Sequence, residues 1–340
     1  MHARARAGQI LHRRTGVRIE TPLLVPAFSS KGFMLADGSS DVDRILRTAA
    51  EFVTSSCLVS AYDIYHGHIP EPQKLPVKPE LIFVDSGGYE ISHDSRRSPN
   101  KSVPGSATWN RSLLEGVIRA WPSEMAAAFV TYDDPLDRRP VLEQVDAAKA
   151  QIRQSPDQLH CFLLKPEKDT QATLRETLKN VLGYMEALRA FDIIGVTEHE
   201  LGDSHLDRMV NIARLREALD DAGVPAPLHV FGSLDPVSAC LYFISGAEVF
   251  DGLKWIRYAF SDGQCVFIRN HAVLEYGVHV RDSDVQLRVM SQNYYYLEKL
   301  QELMKDFRVK GDYSKLPHGE RLLKPAYDSL ERRLNRKGGE

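Results

Sequence analysis

Eight apolar runs punctuate the chain: PLLVPAF (22–28), FVTSSCLVS (52–60), LIFVD (81–85), AAFVTYD (127–133), HCFLL (160–164), FDIIGV (191–196), LHVFG (228–232) and AEVFD (247–251). They are continuous and not alternating, as expected of strands buried on both faces. Most leave room for one crossover helix before the next. Two such helices show apolar residues at helical spacing: 206–219, through Leu206, Met209, Val210, Ala213, Leu215 and Leu219, and 173–190, through Leu174, Leu178, Leu182, Met185 and Leu188. Pro236 opens a third over 236–245, with Asp235 in the capping position. A last helix, 284–307, carries Tyr294, Tyr295 and Tyr296. Eight buried strands with intervening helices predict an α/β fold, a TIM (β/α)8 barrel; a doubly wound open sheet would use the same elements.

A barrel would gather the residues that close each strand at one mouth. Here these are Asp85, Asp133, Lys165, Thr197, Glu198, Gly232 and Asp251. The richest of these ends is DSGG, where Asp85 is followed by Ser86, Gly87 and Gly88. Two glycines leave bare backbone that a flat ligand can approach. A lone strand-end aspartate usually caps a turn; three in one chain, one of them inside DSGG, point to a site. Residues 91–110 are polar and rich in Ser, Pro and Arg, and read as a lid or docking loop. The chain divides into a catalytic barrel over 1–307 and a basic helical tail over 308–340.

Composition narrows the class. The 340 residues are 43% hydrophobic and 26% charged, normal for a globular protein, and no apolar run is long enough to span a bilayer. The N-terminus lacks a signal-type apolar core, so a cytoplasmic location is expected. Cys57, Cys161, Cys240 and Cys265 are widely spaced and are read as buried reduced thiols. They have no zinc spacing, and His66 and His68 lack a third ligand nearby, so no metal and no cofactor are expected. Nor does any histidine have a context marking it as the base of a Ser86 nucleophile. The net charge is −3, but Arg4, Arg6, Arg13, Arg14 and Arg18 precede Glu20 with no acid between, and the tail is again basic. Local basic surfaces can hold phosphate despite a negative total.

Paired strand-end carboxyls suit a glycosidic bond. One carboxylate can trap the oxocarbenium-like carbon while a second carboxyl shuttles the leaving group's proton, at about 5 Å separation in retaining chemistry. Asp251 and Asp85, closing the eighth and third strands, fit those two roles.

The motifs carry a family resemblance over about residues 8–307. VDSGGYE resembles the DSGGFQ motif of the tRNA-guanine transglycosylase superfamily. HRRTGVRIETPLLVPAFSSKG resembles its N-terminal segment, a hairpin extension leading into the first strand. FVTYDDP and HVFGSLDP…GAEVFDG resemble its purine-binding and nucleophile segments. The resemblance implies a TIM-barrel enzyme that exchanges guanine for a 7-deazaguanine, with Asp251 as nucleophile, Asp85 as general acid/base and Asp133 on the purine edge. Around Asp133 the base-binding set comprises Ser86, Gly87, Lys165, Thr197, Glu198, His199 and Gly232. Arg257, Lys254, Arg96 and Arg97 are the candidates for the nucleic-acid backbone. Departures matter too. The zinc-binding Cys-x-Cys-x-x-Cys of the tRNA enzymes is absent, with Gln292 near the position of their histidine. Lys165 stands near their glutamine, and Thr197-Glu198-His199 replace a glycine pair. This pattern resembles the DpdA-type branch, which implies insertion of 7-cyano-7-deazaguanine into DNA, with the base extruded for reading and DNA-opening partner proteins as further candidates. A zinc-free tRNA enzyme of queuosine or archaeosine type, and a non-catalytic nucleic-acid-binding relative, are the alternatives.

Overall fold

The structure is a computed structural model that describes residues 4–33, 35, 40–91, 109–133, 138–167 and 184–335. Arg96, Arg97 and most of the 91–110 segment lie outside the described residues, as does the first part of the helix predicted over 173–190, whose described end, Met185–Ala190, is a 3-10 helix.

All eight apolar runs form strands of one parallel sheet. These are β3 (Leu23–Pro26), β4 (Ser56–Ser60), β5 (Leu81–Asp85), β6 (Ala127–Val130), β7 (Leu159–Leu163), β8 (Ile193–Thr197), β9 (Leu228–Phe231) and β10 (Val249–Gly252). They follow chain order around the sheet, with β10 returning to pair with β3. A parallel bridge from Ala27 to Leu58 joins β3 to β4. An open doubly wound sheet would start in its middle and run outward both ways; this one runs round nearly to closure, as a TIM-like barrel.

The continuous apolar runs split by parity into two cores. Leu23, Val25, Leu81, Phe83, Cys161, Leu163, Phe231 and Val249 fill the barrel, while Leu24, Ile82, Val84, Phe162, Val230 and Phe250 face the helices. Asp85 continues the inward set of β5, as Asp251 does for β10. The antiparallel hairpin β1 (Gln9–Leu11) and β2 (Arg18–Glu20) contributes Ile10 and Ile19 to the inner core and so plugs one end of the barrel. It is held at the strand starts: Thr21 donates to Glu248 just ahead of β10, and His12 bonds Gln158 just ahead of β7. The other end, where the strands finish, is left for the site.

Helix His205–Asp221 covers its predicted span and Pro236–Phe243 all but the last two residues of its own, the second capped by Asp235 accepting from Val237 and Ser238 amides. Helix Asp282–Lys310 returns to β3, where Gln301 accepts from the Leu24 amide, and occupies the last crossover position. Its three tyrosines differ in burial: Tyr294 is buried and Tyr295, edge-on to it at 6.3 Å, is 60% exposed, because successive residues leave a helix in different directions. A second hairpin, β11 (Tyr258–Ser261) with β12 (Gln264–Phe267), follows β10. Helix Lys324–Asn335 packs on His205–Asp221 through buried Leu330. Three of the cysteines are buried and Cys265 is half-buried on β12; all four are free. Among the described residues, no helix is long and apolar enough to cross a membrane.

Candidate active site

The strand ends enclose one cavity of about 370 Å³, within the range that accommodates small ligands. Asp85, Ser86, Asp133, Lys165, Thr197, Glu198, His199, Gly232, Asp251, Lys254 and Arg257 all line it. Gly87 does not. Its bare backbone serves packing: a Cβ there would come within 2.6 Å of the Trp109 indole nitrogen, which donates to the Ser86 carbonyl. Gly88 is bare for the same kind of reason, since a Cβ would meet the Asp133 carboxylate at 2.6 Å.

At one side of the cavity stand carboxyls that, among the described residues, have no counter-cation. Asp85 is partly exposed, into the cavity; enclosed there, its carboxyl is pushed by burial up to about 7, with the charges of Asp133 and Asp251 acting in the same direction. Glu90, the last residue of VDSGGYE, is a functional candidate that the motif's first four residues overshadow. It is buried, accepts from Ser29 Oγ at 2.5 Å and Ser60 Oγ at 2.9 Å, and lines the cavity. Burial first, then the charges of Asp63 and Asp85, push it up to about 8. Asp251, nearly buried, accepts from His229 Nε2 at 3.0 Å and from the Gly232 amide at 3.3 Å, both at Oδ1.

On the other side the charges are matched. Lys165 Nζ lies 3.3 Å from Asp133 Oδ2 and 3.2 Å from Glu200 Oε2, and Arg138 reaches Glu200 at 3.3 Å. Burial alone would push the Asp133 carboxyl up, but Lys165, the Ser86 hydroxyl (2.7 Å) and Arg138 hold it below the usual carboxylate range. Thr197 donates to Glu200 as well. Glu198 accepts from Tyr242 Oη at 2.8 Å and sits 3.5 Å from Arg208 and 3.7 Å from Lys254. Lys254 is also bound to Asp235 at 2.5 Å. Arg257 donates to the Lys31 carbonyl at 2.7 Å. Of the four candidates for the nucleic-acid backbone, the two that are described, Lys254 and Arg257, are thus at the mouth, each already engaged by protein.

The N-terminal arginines are placed elsewhere. Arg4 pairs with Glu217 and Glu331, Arg6 with Asp220 and Arg14 with Asp157. These three arginines are therefore engaged in intramolecular pairs, and none of the five N-terminal arginines lines the cavity. Among the described residues no group of three His, Cys, Asp or Glu is arranged to hold a metal ion.

No protein-family model matches the chain, and no curated protein matches it either. The chemistry is therefore read from the site itself. A carboxyl raised toward neutrality and a second carboxylate that, among the described residues, is hydrogen-bonded at one oxygen could supply an acid and a nucleophile.

Proposed function

We propose that this protein is a base-exchanging glycosyltransferase that replaces guanine in DNA with 7-cyano-7-deazaguanine through a covalent Asp251–glycosyl intermediate. The observation that carries the reading is the placement of Asp85 and Asp251 on one cavity that the charge-matched Asp133, Lys165 and Glu198 also line. Asp251 attacks C1′ as the C1′–N9 bond breaks, and Asp85 protonates the departing guanine. The incoming base returns its N9 proton to Asp85 while its nitrogen displaces Asp251. Two inversions at C1′ give net retention. An acid that must donate and then accept works best near neutrality, and the raised Asp85 carboxyl meets that need.

Asp133 offers an acceptor to guanine-type N–H groups, and Lys165 a donor to a carbonyl oxygen. The identity of the 7-substituent is argued from charge. Glu198 and Glu200, which an aminomethyl cation would need, are both already neutralised by protein cations. A nitrile demands no such partner. The choice of DNA over tRNA follows the motif resemblance. The test is to incubate the protein with radiolabelled 7-cyano-7-deazaguanine and either plasmid DNA or tRNA. Label is expected in DNA; label in tRNA alone would move the assignment to the tRNA enzymes, and label in neither would remove the transferase reading.

A further inference from the structure

His229 has no part in the reaction as written above, yet among the described residues it is the only ring whose nitrogen reaches Asp251. It lies within β9, fully buried, in a strand otherwise made of Leu, Val and Phe. Its Nε2 is 3.0 Å from Asp251 Oδ1, while its Nδ1 is buried with no hydrogen-bond partner. The ring stacks on Phe231 at 3.8 Å between centroids and 24° between planes, and meets Phe83 edge-on at 5.4 Å. Gly195 on the neighbouring strand makes this stack possible, since a Cβ there would come 2.6 Å from the Phe231 ring.

These contacts select one form of the ring. An imidazolium would bury a second N–H with no acceptor, between two phenyl rings. A neutral ring with its proton on Nε2 makes the one bond the geometry offers, as a donor to the carboxylate. The Gly232 amide donates to the same oxygen at 3.3 Å. Among the described residues, no hydrogen bond goes to Oδ2, and Asp251 lines the cavity. The other titratable groups around Asp251 are Asp85 from β5, Cys161 from β7, and Lys254 and Arg257 at the mouth; none hydrogen-bonds to it.

We propose that His229 is the positioning residue of the nucleophile: as a neutral Nε2–H donor it holds Asp251 Oδ1 and leaves Oδ2 as the oxygen that attacks. The inference rests on the base-exchange reading and adds a division of labour between the two oxygens. In the first step Oδ2 forms a bond to C1′ as the C1′–N9 pair leaves with the base. In the second, the C1′–Oδ2 pair returns to the carboxylate, and the hydrogen bond from His229 at Oδ1 strengthens as that charge develops. Donors in such supporting positions typically change activity 10–100-fold.

The test compares His229→Leu with His229→Gln in the full chain, following formation and discharge of the Asp251–glycosyl adduct in single turnovers from acid to alkaline pH. His229→Leu is expected to slow both steps roughly 10–100-fold with KM for the free base little changed. The acid limb of its rate profile should move to higher pH, because a hydrogen bond favouring the ionised carboxylate is gone. His229→Gln, whose amide N–H can reach Oδ1, should recover most of the rate and return the limb. Equal behaviour of the two variants, or an unmoved limb, would reduce His229 to packing. Should His229→Leu fail to fold, His229→Phe keeps the ring stack and carries the same two outcomes. Asp251→Asn run in parallel separates the claims: adduct formation in that variant removes the base-exchange reading, whereas its loss beside a fully active His229→Leu removes only the positioning role.

Discussion

The two sides of the cavity handle charge in opposite ways. On the Asp85 side, carboxyls stand without cations among the described residues, and burial drives Asp85 and Glu90 upward to about 7 and 8. On the Asp133 side, acids are just as enclosed, yet each faces a lysine or arginine, and Asp133 and Asp235 are held below the usual range in spite of burial. Burial is common to both; the presence of a cation decides the sign. Unmatched acids near neutrality can move protons, while matched ones present fixed donors and acceptors and rarely titrate at working pH.

Breaking the unmatched side should have the largest effect. Asp251→Asn is expected to lower base exchange by about 10³-fold or more at unchanged fold, because an amide is a poor nucleophile; an intact rate with intact circular dichroism would end that assignment. Asp85→Asn should cost roughly 10²–10⁴-fold. In the unmodified protein, base release should fall as pH rises through about 7, where Asp85 loses the proton it must donate. A rate that stays level from pH 6 to pH 9 would place the acid elsewhere.

The matched side should answer differently. Lys165→Met leaves Asp133 and Glu200 short of a buried counter-charge, with an expected loss of about 3–5 kcal/mol in stability and a KM defect for the free base larger than the kcat defect. Urea unfolding and saturation kinetics report both; a pure kcat effect would mean that Lys165 takes part in the chemistry. The smallest change is expected from Glu90→Gln. Glu90 is raised on folding, so its contribution to stability is complete below its unfolded value and is lost as pH rises through about 8. The glutamine variant should therefore gain on the native protein at pH 9 and not near pH 4. A pH-independent difference between the two would show that Glu90 does not titrate in this range.

Much of the barrel was legible in the chain. Strands buried on both faces need continuous apolar runs, so all eight could be located, and the polar residues that end them marked the mouth. The same continuity hid the faces. LIFVD has no alternation, so nothing in it says that Leu81, Phe83 and Asp85 point inward while Ile82 and Val84 point outward; closure of the sheet decides that. Gly87 looked available to a ligand until Trp109, from a distant segment, was seen to occupy its space. His229 carried no local signal, because its partner comes from the next strand. Local pattern set element type and the chemistry at each strand end, since those depend on neighbours in sequence. Tertiary structure alone set which acids lack a cation, which are matched and which oxygen of Asp251 is left open, since each of these joins residues from different strands.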